Sequence, residues 1–95
     1  MLTHVVLFKL KEPTAENLNA FCEKLQTLAG NVPTLNEIEV GVDIVRSERS
    51  YDVALITRFD SLADMEAYQV HPFHQDILTF VRARITGATA VDFES

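Results

Sequence analysis

Residues 36–59 read NEIEVGVDIVRSERSYDVALITRF. In the first ten positions Ile38, Val40, Val42 and Ile44 alternate with Glu37, Glu39, Gly41 and Asp43, the period of two that marks a strand with one buried face. The last nine, YDVALITRF, are rich in β-branched and aromatic side chains and are expected as a second strand. Between them RSERS is short and polar, too short for the crossover that a parallel pair needs, so the two strands form an antiparallel hairpin.

Outward from this hairpin, each side repeats the same weight of elements. On the N-terminal side, residues 3–11 (THVVLFKLK) read as a strand ending at Glu12-Pro13. His4, Val6, Phe8 and Leu10 share one face, and Val5, Leu7, Lys9 and Lys11 the other. The segment TAENLNAFCEKLQTLAGNVP follows, with Leu18, Phe21, Cys22, Leu25 and Leu28 on one stripe of an amphipathic helix. Thr14 suits its N-cap, and Gly30 with Pro33 its stop. On the C-terminal side, Ser61 with Asp64 three residues on opens a helix in the manner of a capping box. His71 precedes a proline and leaves the α region there, and Pro72 starts a further helix, PFHQDILTFVRARI, with Phe73, Ile77, Phe80 and Val81 as its buried stripe. Gly87 is expected to break it, and ATAVDFE to close the chain as a fourth strand.

The order β-α-β-β-α-β is the ferredoxin-like plan, an α+β sandwich of one four-stranded antiparallel sheet with helices on one face. At 95 residues it is a single domain, residues 1–95. The uncovered face carries Val5, Leu7, Val91 and Phe93, an apolar patch that a homodimer would cover.

Composition excludes several classes of function. With 14 acidic and 8 basic residues the net charge is −6, unfavourable for nucleic acid or an anionic membrane surface. No apolar run approaches the roughly 20 residues of a membrane span. The N-terminus lacks the basic and small-residue elements of a secretory signal, and Cys22 is the only cysteine, so an internal disulfide is impossible. These features fit a soluble cytoplasmic chain. No glycine-rich phosphate loop and no G-x-S-x-G elbow occurs. His71 and His74 are three apart, but Pro72 breaks the helix that would align them and no third ligand joins them, so neither a metal nor another cofactor is expected.

Two of the three histidines fall within AYQVHPFHQD, residues 67–76. Tyr68 and His71 share a helix side, and His74 lies in the first turn after Pro72. By parity His4 and Asp92 lie on the sheet face beneath the helices, where Ala88 and Ala90 leave room. These groups could converge on a cavity lined by Val6, Phe8, Phe21, Cys22, Leu25, Leu55 and Phe80. An imidazole titrates near neutrality, a carboxylate on its far nitrogen fixes the tautomer, and a phenol can polarise a carbonyl. Asp92 is expected to hold His74. The same residues also suit a bland reading, with the histidines at a helix junction, Tyr68 in the core and Asp92 as a cap.

THVVLFKLK, VPTLNEIEVGVD, YDVALITRFDSLADMEAYQVHPFH and the closing AVDF together resemble the stress-responsive dimeric α/β barrel (Dabb) domain over nearly the whole chain, the Y…H-P-x-H block being the most specific part. The resemblance implies two ferredoxin-like sheets that join into an α/β barrel across a homodimer. It also implies the chemistry of the family's plant polyketide cyclases, which close a chain by aldol reaction without a cofactor. Carried over, Tyr68 and His74 are the acid/base pair, Asp92 is the support of the histidine, and His4 and His71 lie nearby in the ligand site. Cys22 and Leu25 stand where cyclase-like members have aromatic pocket residues. Two functions follow, beside a third reading in which the chain is a dimerisation module alone. One is a cofactor-free cyclase, lyase or isomerase acting on a small apolar carbonyl compound; the other is a ligand-binding or stress-protective dimer without catalysis.

Overall fold

A computed structural model describes residues 1–95. The elements run β1 (Leu2–Leu10), α1 (Ala15–Gln26), β2 (Glu37–Val42), β3 (Val53–Phe59), α2 (Leu62–Val70), α3 (Pro72–Arg82) and β4 (Ile85–Glu94). The sheet order is β2-β3-β1-β4 with every pairing antiparallel, the ferredoxin-like arrangement.

Local chemistry sets most helix boundaries. Thr14 accepts from the Asn17 backbone N–H, and Ser61 from that of Asp64. Each satisfies one of the donors that a helix start leaves free. His71 is extended, with φ −63 and ψ 136, and separates α2 from α3; its Nδ1 accepts from the Phe73 N–H, and Pro72 takes the first turn of α3. Burial supplies the rest. Phe21, Leu25 and Leu28 on the α1 side, Phe59 and Leu55 on β3, Phe8 on β1, Met65 and Tyr68 on α2, and Ile77 and Val81 on α3 form one core. Phe21 packs edge-on to Phe8, with ring centroids 5.3 Å apart, a geometry that suits the opposed charges of ring face and ring edge.

β3 is buried at Val53, Leu55, Thr57 and Phe59, so the helices lie over that face. On β1 the same face carries His4, Phe8 and Leu10, all buried. The opposite face joins Val5 to Ile56 on one side and Val91 on the other, with Val91 and Phe93 exposed. Helices pack over β1, β2 and β3, while β4, at the edge, is exposed along most of its length.

Three sequence-based boundaries are corrected. β2 stops at Val42 rather than Val45, and Ile44 is 91% exposed. The Asp43 N–H still reaches the Asp52 carbonyl, but Arg46 adopts φ 57 and turns the chain away, so the alternation continues past the pairing that gives it meaning. β3 begins at Val53 rather than Tyr51: the Asp52 N–H still donates to the Phe8 carbonyl, but the Leu10 N–H is taken by the Asp52 side chain instead of a further backbone rung. α3 ends at Arg82, and Ile85 and Gly87 belong to β4. Ile85 lies opposite Leu10 across a bulge and Gly87 opposite Lys9; strand pairing won over the helical pattern of RARI.

Candidate active site

Because α3 stands away from β4, a cavity of about 500 Å³ opens between α2, α3 and the sheet, within the range of small-molecule sites. β1 contributes His4, Val6 and Phe8, β3 Leu55, and β4 Ile85 and the small Ala88. The helices contribute Leu25, Tyr68, His74, Ile77 and Val81 to an otherwise mainly apolar wall.

Tyr68 and His74 lie on either side of the Pro72 junction, and their rings meet at 4.3 Å between centroids. Tyr68 is fully buried, packed at a tilt with its ring centroid 4.9 Å from that of Phe59, and its hydroxyl has no hydrogen-bond partner within the chain. Leaving a buried hydroxyl unpaired costs about 1–3 kcal/mol, so this atom is a standing demand for an acceptor. Burial also pushes the Tyr68 phenol above its ordinary range, which keeps the proton on it.

His74 Nδ1 lies 3.0 Å from the Gln69 carbonyl oxygen. A carbonyl only accepts, so Nδ1 donates and the neutral ring carries its lone pair on Nε2. Burial lowers the His74 pKa; the Gln69 bond works against this, while the nearby His4, Arg82 and His71 add to it. A group whose folded pKa is depressed stabilises the fold above its unfolded value, about 6.5 for histidine, and loses that contribution as pH falls through the folded value. The fold should therefore weaken below about pH 6.5. Replacing His74 with glutamine should flatten that part of a urea-midpoint-against-pH curve; an unchanged slope would contradict the buried neutral ring.

Asp92 does not hold His74. It is hydrogen-bonded through Oδ1 to Nδ1 of His4. Parity puts Asp92 on the helix side of the sheet, as expected, but His4 and Asp92 are directly paired across β1 and β4, and that register brings the carboxylate to His4 while His74 sits a layer above on α3. The carboxylate fixes His4 with Nδ1 protonated, which leaves Nε2 as its open nitrogen. Of the other expected lining residues, Val6, Phe8, Leu25 and Leu55 border the cavity and Phe21, Cys22, His71 and Phe80 do not. Phe21 is core beneath Phe8 and Phe80. Phe80 carries the Arg84 guanidinium 3.6 Å above its ring. The His71 ring caps α3. Cys22 is half-buried against the core, and burial raises its thiol pKa. Sequence reasoning overlooked Arg82, Gln69 and Gln75 on the cavity wall. Positions 74, 78 and 82 share one α3 stripe, the spacing that would have signalled Arg82.

These elements define a ferredoxin-like α+β protein with a histidine- and tyrosine-lined cavity under its helical layer. The chain belongs to the stress responsive A/B barrel domain family, whose model matches residues 2–95. Among solved structures it is similar to a dimeric protein of unknown function and ferredoxin-like fold from Bacteroides fragilis, at 29% identity and TM-score 0.85, covering 99% of this chain and 95% of that one. A dimeric ferredoxin-like protein of unknown function from Thermobifida fusca is 25% identical at TM-score 0.86, with 99% and 90% covered. The hydroxynitrile lyase of Passiflora edulis shares the fold alone, at 14% identity, TM-score 0.83 and coverage of 97% and 90%. No curated protein matches the chain. No helix is long and apolar enough to cross a membrane.

Proposed function

We propose that the protein is a homodimeric, cofactor-free acid/base enzyme acting on small apolar carbonyl compounds, of the cyclase, lyase or isomerase type. The observation that carries this reading is the buried, unpartnered Tyr68 hydroxyl beside His74 in an apolar cavity. A ligand carbonyl would relieve the unpaired donor, and the Tyr68 proton, held firmly by burial, polarises that carbonyl. His74 Nε2 takes a proton from the adjacent carbon, and the resulting enolate rests on the Tyr68 O–H. The electron pair of the broken C–H bond then forms a bond to a second carbonyl carbon, whose oxygen takes the proton back from His74 as its π bond opens, or it returns to carbon with that proton. Asp92 acts through His4, orienting a second imidazole at the wall of the same cavity. Ligand contacts come from Val6, Phe8, Leu25 and Leu55.

The homodimer is supported by the exposed apolar face of Val91 and Phe93 beside Val5 and Leu7 and by the dimeric state of the similar Bacteroides fragilis and Thermobifida fusca proteins.

Exchange of the α-hydrogens of octanone in deuterated water, followed by proton NMR, tests the chemistry without a known substrate. The protein should accelerate exchange, and His74→Ala should remove that acceleration, since a positioned acid or base contributes roughly 100-fold or more. Binding without exchange would favour a ligand-binding dimer instead. Tyr68→Phe separates function from packing. It deletes the unpaired hydroxyl at nearly constant shape, so the unfolding free energy should rise by about 1 kcal/mol while exchange is lost. A variant that is both less stable and fully active would refute the role given to the hydroxyl.

A further inference from the structure

The cavity has a charge asymmetry that an apolar carbonyl site does not require. Although 14 of the 95 residues are acidic, none of the 17 that line it is, whereas Arg82, His74 and His4 all are among them. The nearest sheet carboxylate, Asp92, is engaged with His4. Arg82 belongs to none of the chain's ion pairs, which use His4, Arg46 and Arg58, and it makes no side-chain hydrogen bond of its own. It lies on the α3 stripe of His74 and Leu78, eight residues beyond His74, so the two Cα atoms are roughly 12 Å apart along the helix. The long arginine side chain leans toward the helix N-terminus and hence toward His74, and its charge acts on that imidazole. The wall between them, formed by Ile77, Leu78 and Val81, is apolar.

Building on the carbonyl-site reading above, we propose that the substrate is a medium-chain oxo acid, its carboxylate held by Arg82 at the cavity rim and its ketone carried past Leu78 to Tyr68 and His74. Arg82 is then the residue that determines specificity. A simple structural role exists for it, since a cation in the last turn of α3 complements the helix dipole. That role predicts no preference among ligands. The same dipole opposes an anion at this helix end, so selectivity for a carboxylate has to come from the guanidinium itself, whose fork of N–H groups can donate to both carboxylate oxygens.

The test is a pair of ligands matched in length, an oxooctanoate with its ketone at the penultimate carbon and the uncharged octanone, titrated into the intact protein with binding read by NMR shifts. The wild type should bind the oxo acid at least tenfold more tightly, about 1.4 kcal/mol, and the margin should shrink with added salt because the rim is solvent-exposed. Arg82→Ala should bring the two affinities together and Arg82→Glu should invert them, and because the residue is exposed both should stay folded, with only the small fall in melting temperature that loss of a cation at a helix end brings. Equal binding of the two ligands by the wild type would overturn the oxo-acid assignment and leave the carbonyl site standing. Binding of neither ligand would overturn both.

Discussion

Asp52→Ala should destabilise the fold by about 2–3 kcal/mol, the size expected when a buried donor loses its only acceptor together with a charge-assisted bond. Asp52 is 5% exposed although it carries a carboxylate. Its Oδ2 accepts from the Leu10 backbone N–H at 2.7 Å, its Oδ1 from Arg46 Nη2 at 2.8 Å, and its own N–H donates to the Phe8 carbonyl at 2.8 Å. One side chain therefore closes the end of the β1–β3 ladder, where β1 bulges toward β4, and also anchors the loop that carries Ile44 and Val45 into solvent. Alanine leaves the Leu10 N–H buried without an acceptor. For a domain of this size the loss corresponds to a fall in melting temperature of roughly 10–20 °C. Urea unfolding should show a lower midpoint at constant slope. Arg46 is 44% exposed, so Arg46→Ala should lose less than about 1 kcal/mol. An Asp52→Ala protein within about 0.5 kcal/mol of the parent, the range of ordinary surface changes, would show that the carboxylate is not the anchor.

Leu7→Asp should convert the proposed dimer to monomers at micromolar concentration. Leu7 belongs to the outer sheet face with Val5, Val91 and Phe93, and Val5 sits directly between Ile56 and Val91 in the ladder. A twofold contact repeats any substitution, so one aspartate introduces two charges into a dehydrated patch without partners, a burden of several kcal/mol. The dissociation constant should rise by roughly 100-fold or more, since each 1.4 kcal/mol is a factor of ten. Sedimentation velocity across a dilution series reads it directly. The residue faces away from the helices, so the monomer's own core of Phe21, Phe59 and Tyr68 is untouched. A variant with the parent's mass at every concentration would place the dimer contact elsewhere.

The features legible in the sequence are those determined by neighbours along the chain. Thr14, Ser61, His71 and Pro72 act on backbone groups two or three residues away, so helix starts and the α2–α3 break could be read from residue type. Alternation in THVVLFKLK and YDVALITRF assigned the sheet faces, because a pleat turns successive side chains to opposite sides whatever the partner strand. The same logic brought Tyr68 and His74 to one place, since only a proline junction separates them. Where the outcome depended on which distant residue arrived, pattern was not enough. Ile44 continues an apolar alternation but has no strand opposite it. Ile85 looks helical in RARI until Leu10 pairs with it. Asp92 had two histidines on its side of the sheet, and a single register between the first and last strands gave it His4 rather than His74. Phe21 and Phe80 were plausible pocket residues by spacing, but close packing against Phe8 and beneath Arg84 took them into core and surface. Periodicity determines which side a residue takes; strand register and close packing decide what it meets there, because both depend on groups that only the folded chain brings within a few ångströms.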